Sequence, residues 1–212
     1  MKIIEPSFER LTPIEGEHGL AMLRLIELSA RTCYKSEGAI TCDSAGPFVT
    51  KIATVFKHVS VIEHCSVTVK FVCDRGVTHE MVRHRIAAYS QESTRYCNYS
   101  KDKFGKEITV IQPLFFEVAS PKWMQWKLAC ESAEGHYFAL LDAGASPQEA
   151  RSVLPNSLKT EIVMTANLRE WQHVFRLRTS SKAHPQMQQI MKPLLAEFQK
   201  HLPELFAEII PV

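Results

Sequence analysis

The sequence predicts a mixed α/β fold in which helices outnumber strands. Three observations point there. Apolar residues recur at helical spacing in several long stretches, whereas strict two-residue alternation appears in few. Two Ser/Asn-x-x-Glu patterns mark helix starts after short connections. Gly, Ser and Asp clusters separate the periodic segments without forming a long linker.

Taken in order, Pro13 to Tyr34 carries Leu20, Met22, Leu23, Leu25, Ile26 and Leu28 at helical spacing, with Glu15 and Glu17 near its start. The SEGAITCDSAGPF stretch reads as a loop, and a second helix is expected over Val49 to Val59. In SVTVKFVCD, residues 66–74, Val67, Val69, Phe71 and Cys73 alternate with Ser66, Thr68 and Lys70, the period of a half-buried strand. Val77 to Arg85 reads as a short helix capped by Thr78, and Ala87 to Asp102 as a loop. Ile108 to Glu117 is a strand interrupted by Pro113, and Ser120 to Gly144 a long helix. Ser146-Pro147-Gln148-Glu149 is a capping box with proline at the first helical position, opening a helix that ends by Pro155. Leu158 to Ala166 reads as a buried strand. Asn167-Leu168-Arg169-Glu170 is a second capping box whose helix runs to about Arg178, and a last helix runs from Pro185 to near Phe206, broken or kinked at Pro193 and Pro203.

A chain of 212 residues suits one large domain, 1–212, and buries roughly 70% of its unfolded surface without help from disulfides. Twenty-five Lys and Arg against 23 Asp and Glu leave a charge of +2, too little for bulk attraction to nucleic acid or membrane. No apolar run is long enough to span a bilayer. Glu5 and Pro6 interrupt any secretory leader, and the six cysteines form no CxxC pair. Reduced thiols in a cytoplasmic chain are expected.

One segment concentrates chemistry: Arg83-His84-Arg85, then seven residues, then Ser93-Thr94-Arg95. Adjacent cationic groups repel, and Met81, Val82, Ile86, Ala87 and Ala88 surround them with apolar side chains, so an anion partly sunk in the fold is the natural counterpart. Hydroxyl, backbone N–H and guanidinium donors at 93–95 are the inventory a phosphate needs. A solvated basic helix end is the bland alternative. On the helix after Asn167, residues Arg169, His173 and Arg176 form one stripe, while Arg178 projects with Trp171 toward the buried side and must meet a carboxylate, a carbonyl or a ligand anion there. His79-Glu80 with His84 is spaced HExxxH, which splays the two histidines by about 140°, so no metal is expected. GxGxxG, GxxxxGK[ST] and GxSxG are all missing, which excludes a Rossmann fingerprint, a Walker loop and a nucleophile elbow.

Arg83-His84-Arg85 with Ser93 resembles the RHR-x7-S signature of the flavin-dependent thymidylate synthases. Ile62-Glu63-His64, Ala150 to Pro155, Asn167-Leu168-Arg169 with Leu177-Arg178, and Ala183 to Gln186 are similar to further motifs of that family, in family order. The resemblance implies a single compact α+β domain with a central, mainly antiparallel sheet flanked by helices. It implies methylation and reduction of dUMP to dTMP, with methylenetetrahydrofolate as carbon donor and FAD, reduced by NADPH, as hydride source. It also implies a homotetramer with active sites at subunit interfaces, and neither nucleic acid nor membrane as partner.

Carried over by position, the resemblance makes Ser66, Arg83, His84, Arg85, Gln91, Asn167, Arg169 and His173 flavin contacts. It makes Glu80, Met81, Val82, Arg83, Gln91, Glu92, Ser93, Thr94, Arg95, Arg151 and Arg178 dUMP contacts, with Ser93 to Arg95 as the phosphate cradle and Arg151 joining from another subunit. Arg178 is the catalytic residue, a cation held near the uracil N3–O edge so that C5 becomes nucleophilic. Gln91 stands where many members have Glu, Glu80 where many have Gln, His173 where others have Asn, and Cys33 where some have Ser. Two readings compete with this one: an RNA binder stacking bases on Tyr89, Tyr96 and Tyr99, and a flavoprotein oxidase without methyl transfer.

Overall fold

The computed structural model describes residues 1–210; the last two residues of the expected domain, 211–212, lie outside them. Helical segments account for 51% of the chain and the sheet is mostly antiparallel, in line with the expected helix-rich α+β class. Strands β1 (Lys2–Ile4) and β5 (Thr109–Ile111) form a parallel pair. Strands β2 (Ser7–Arg10), β3 (Ser66–Asp74), β4 (Ala87–Gln91) and β6 (Lys159–Asn167) form a four-stranded sheet in the order β2-β3-β6-β4. Alternation specifies the two central strands: Val67, Val69, Phe71 and Cys73 of β3 are buried, as are Thr160, Ile162, Met164 and Ala166 of β6.

Two compact units emerge, each built from separated stretches. One comprises residues 1–7, 71–83 and 89–163, the other residues 8–70, 84–88 and 164–212. Four of the five crossings between them fall inside β2, β3, β4 and β6.

In the first unit, helix α3 (Arg75–Met81) starts where Asp74 Oδ1 accepts from the Val77 N–H at 2.7 Å. Asp74, not the expected Thr78, is the cap: a strand-end carboxylate one residue outside the helix reaches the orphan amide, whereas Thr78 is already helical and bonds back to the Arg75 carbonyl. The helix also stops at Met81, before the expected Arg85. Helix α4 (Pro121–Asp142) is capped by Ser120. Its Tyr137 and Cys130 enter a core with Tyr99, Ile108, Val110, Ala150 and Leu158. The capping box at Ser146 forms as expected and opens α5 (Pro147–Ala150). Residues 87–91, expected as loop, are β4: Ala87, Tyr89 and Gln91 are half-buried between exposed Ala88 and Ser90. The polar composition there hides a two-residue period.

In the second unit, helix α1 (Glu17–Thr32) packs on α2 (Ala45–Thr50). The helix expected over 49–59 is instead α2 continued by a π-helical turn, Lys51–Val55, and Lys57 adopts φ 56°. Gly19 is required, since a Cβ there would lie 2.4 Å from the Ile14 carbonyl oxygen. Helix α6 (Leu168–Arg178) is anchored to β3 by the Trp171 indole, which donates to the Val67 carbonyl at 3.0 Å. Helix α7 (Pro185–His201) contains Pro193, and the break expected at Pro203 separates it from α8 (Pro203–Phe206). Trp171, Phe175, Phe198 and Phe206 are fully buried, with ring centroids 5.0 to 5.9 Å apart along their contacts.

All six cysteines are free thiols. Burial pushes Cys65 and Cys130 up to about 11 and raises Cys73 as well. Among the described residues no helix is long and apolar enough to cross a membrane.

Phe198→Ala removes the ring that touches three others in this cluster. It is expected to destabilise the protein by about 3–5 kcal/mol in urea unfolding, against about 1 kcal/mol for Asp74→Ala.

Candidate functional site

The Arg83-His84-Arg85 segment lies beyond the end of α3, in irregular chain leading to β4. It is therefore not a helical triplet fanning at 100° intervals: His84 is buried and both arginines are exposed. The imidazole is held at both edges. Its Nδ1 lies 3.2 Å from Glu170 Oε1, and its Nε2 accepts from the Arg178 Nε–H at 3.0 Å. Guanidinium N–H is always a donor, so Nε2 must carry the lone pair and Nδ1 the proton. Burial lowers the His84 pKa to about 4, and the charges of Arg178 and His173 push the same way. His84 and Glu170 are thus joined by a hydrogen bond from a neutral ring. Burial also raises the Glu170 carboxyl from its ordinary value, opposed by His173.

Helix α6 supplies both anchors. The Asn167 side chain caps it, accepting from the Glu170 N–H at 2.8 Å. The second half of the expected capping box does not form around this cap, because the Glu170 carboxylate turns to His84. Arg178, its last residue, is half-buried as its register with Trp171 predicts. The exposed stripe Arg169, His173 and Arg176 faces a recess of about 640 Å³, within the range of small-molecule sites. Asn167, Ile86, Lys57 and Glu63 also line it. Arg169 pairs with Glu63, and Lys57 lies 3.8 Å from Glu208. The His173 ring meets His84 edge-on at 5.6 Å.

Of the expected flavin contacts in this unit, the recess gathers Asn167, Arg169 and His173; Ser66 and Arg85 are exposed but do not line it, and His84 lies buried. Lys57, Glu63, Arg176 and Glu170 were not among the expected contacts. Arg176 was visible in the stripe, whereas Lys57, left-handed and just past the π-helical turn, lies in no pattern legible in the sequence. His84, Glu170 and His173 place ligand atoms within 4.8 Å of one another. That set does not suit a divalent cation: one His84 nitrogen is committed to Glu170, and the other faces a guanidinium.

In the other unit, the Gln91 amide donates to Thr78 Oγ1 at 3.0 Å and Thr160 Oγ1 at 3.3 Å. Ser93 Oγ accepts from the Arg95 N–H at 3.3 Å, and Arg95 lies over the exposed Tyr96 ring at 5.3 Å. Arg151, expected to join from another subunit, reaches Thr94 Oγ1 of its own chain at 3.3 Å. The Glu92 carboxylate does not face the cradle's donors: it accepts from Lys159 Nζ at 2.9 Å and from the Tyr99 hydroxyl at 3.1 Å. Met81 is fully buried and offers only its carbonyl, which accepts from Tyr89 at 2.8 Å. Arg83 and Val82 are exposed, and Glu80 is half-buried.

The hydroxyl and guanidinium groups of residues 93–95 and 151 thus lie in one unit, and the recess beside α6, lined by Lys57, Arg169 and Arg176 together with Glu63, Glu170 and Glu208, lies in the other. The family described as thymidylate synthase complementing protein matches residues 20–204. A flavin-dependent thymidylate synthase of Geobacter sulfurreducens is 32% identical over 88% of this chain and 81% of its own length. One of Pyrococcus furiosus is 32% identical over 68% of this chain, which spans 59% of that relative. The crystal structure of thymidylate synthase X from Helicobacter pylori with FAD and dUMP aligns over 97% of this chain and 98% of its own, with TM-score 0.70 and 24% identity. That of the UMP/dUMP methylase PolB from Streptomyces cacaoi aligns over 98% and 96%, with TM-score 0.76 and 20% identity, so both share the fold. The chain belongs to the thymidylate synthase complementing protein family, that of the flavin-dependent thymidylate synthases.

The unfolded imidazole takes its proton near pH 6.5 and the folded one near 4, so acidification through that window draws protons to the unfolded chain and removes stability. Two-dimensional NMR of the ring is expected to show His84 neutral from pH 5 to 8; a midpoint above pH 6 would contradict its burial.

Proposed function

We infer that this chain catalyses the reductive methylation of dUMP to dTMP. The observation that carries the reading is one helix, α6, that presents three recess residues on one stripe and ends in a guanidinium locked onto a neutral buried histidine. Family membership supports the same conclusion.

The recess offers a flavin dinucleotide its anchors: Arg176 can meet its diphosphate, Arg169 and Lys57 would do so by exchanging Glu63 and Glu208 for it, and Asn167 and His173 offer polar atoms. FAD, reduced by NADPH, supplies the hydride when bound, and methylenetetrahydrofolate the carbon. Asn167, Arg169 and His173 would hold the cofactor, with Ser66, Arg83 and Arg85 completing its contacts; the expected His84 contact is not kept, because its ring is buried with both nitrogens engaged by Glu170 and Arg178.

Ser93, Thr94, Arg95 and Arg151 take the dUMP phosphate. The Arg151–Thr94 hydrogen bond orients part of that cradle from within one chain. The Lys159–Glu92–Tyr99 contacts hold its start, so Glu92 acts by positioning the loop rather than by meeting the nucleotide. Gln91, whose amide donates inward to Thr78 and Thr160, keeps its carbonyl for a ligand donor. Glu80, Val82 and the Met81 backbone complete the nucleotide contacts. Arg178 sits against the uracil N3–O edge, where its charge favours the ionised base and raises electron density at C5.

Residues 1–212 act as one domain of a cytoplasmic homotetramer. Half-exposed Leu25 and Leu28 on α1 are apolar surface that a subunit contact would cover. Sedimentation equilibrium tests that assembly.

Tritium release from 5-labelled dUMP, with and without folate, tests the reaction. Arg178→Ala is expected to retain flavin absorbance and to lose about 100-fold or more in kcat, the scale of removing one positioned donor. Arg95→Ala is expected to raise the KM for dUMP at least tenfold with flavin content unchanged. Loss of flavin from that variant would move Arg95 to the cofactor site.

A further inference from the structure

Asn167-Leu168-Arg169-Glu170 reads as a capping box, whose logic sends the glutamate back to the cap's own N–H. Here the motif is split. Asn167 caps the helix through the Glu170 N–H, while the Glu170 carboxylate is buried against the His84 Nδ1. A carboxylate withdrawn from solvent gives up hydration and needs a hydrogen-bond donor in return, and here that donor is the ring rather than the cap. The same ring passes the constraint on, since its other nitrogen receives the Arg178 Nε–H.

We propose that Glu170 is a positioning residue that sets the direction of the Arg178 guanidinium by fixing which nitrogen of His84 carries the proton. The proposal rests on the role of Arg178 given above. An imidazole between two partners has two neutral tautomers, and only one suits both. With the proton on Nδ1, the ring donates to Glu170 and accepts from Arg178. With the proton on Nε2, two N–H groups would face each other across the 3.0 Å now closed by a hydrogen bond, and the guanidinium would have to turn away. Arg178 is compatible only with the first arrangement but can turn away from the second; Glu170, the acceptor held at Nδ1, is the group that makes the first one the favoured state of the ring. No bond is made or broken and no proton leaves the relay during turnover; the carboxylate acts by orientation alone, as carboxylates do behind histidines elsewhere.

Each anchor is itself fixed. Trp171, the next residue after Glu170, is pinned to the β3 backbone, and its ring lies in the aromatic cluster with Phe175 and Phe198. The carboxylate therefore approaches the ring from a helix that cannot easily rotate. His173 stands edge-on to the same imidazole and limits its tilt.

The test uses the flavin-loaded full chain with 15N-labelled histidine. In the wild type, two-bond 15N–1H spectra are expected to show His84 with a protonated Nδ1 and an unprotonated Nε2. The opposite tautomer would overturn the proposal without any variant being made. Glu170→Ala is expected to move the proton to Nε2 or to mix the tautomers, and to lower kcat at least tenfold at unchanged flavin content. Glu170→Gln, whose side-chain carbonyl still accepts from Nδ1, is expected to keep the wild-type tautomer and to stay within about threefold in kcat. A merely structural glutamate would change stability and flavin content while leaving the tautomer alone. Normal turnover of Glu170→Ala, or an unchanged tautomer in it, would overturn the proposal. Failure of the wild type to release tritium from dUMP would instead remove the proposed reaction, and the spectra would still decide whether Glu170 sets the proton on His84.

Discussion

A neutral imidazole buried between an acid and a guanidinium is the constraint around which the second unit is arranged. His84 stays uncharged because it is buried and because Arg178 and His173 stand beside it, both carried by the helix that the aromatic cluster seats. The cluster fixes the helix, the helix carries Glu170 and Arg178 two turns apart, and the ring between them is left with one compatible proton position. Moving α6 by an ångström would cost the hydrophobic contacts and the polar ones together.

The first unit solves a different problem, holding a loop of donors without burying charge unpaired. Lys159 carries a positive charge to a place where Glu92 and Glu161 both meet it, and Tyr99 closes on Glu92 from the core side. Burial and the adjacent Glu92 charge push the Tyr99 hydroxyl well above its ordinary pKa, so it remains a donor. The Ser93 to Arg95 backbone starts from that fixed point, with Arg151 bracing Thr94.

Much of this was legible in the chain. Period-two alternation located β3, capping chemistry located α5 and α6, and proline located the break before α8. The stripe Arg169, His173, Arg176 and the inward register of Arg178 followed from helix geometry alone. What escaped has physical reasons. Strand β4 is built from Ala, Tyr, Ser and Gln, which carry too little hydrophobic contrast to show a period. The π-helical turn at 51–55 breaks the 3.6-residue period, and Lys57, just beyond it in a left-handed conformation, lines the recess without any sequence pattern that marks it. Glu170 was visible as a letter of a motif, but the local rule assigned its carboxylate to the cap, and only the fold shows it reaching a residue 86 positions away.

The route of the chain carries one more consequence. Because five crossings interleave the two units, and four of them lie within strands, neither unit corresponds to a continuous piece of coding sequence. Such a protein cannot exchange a half by recombination, nor acquire either half as a ready-made module.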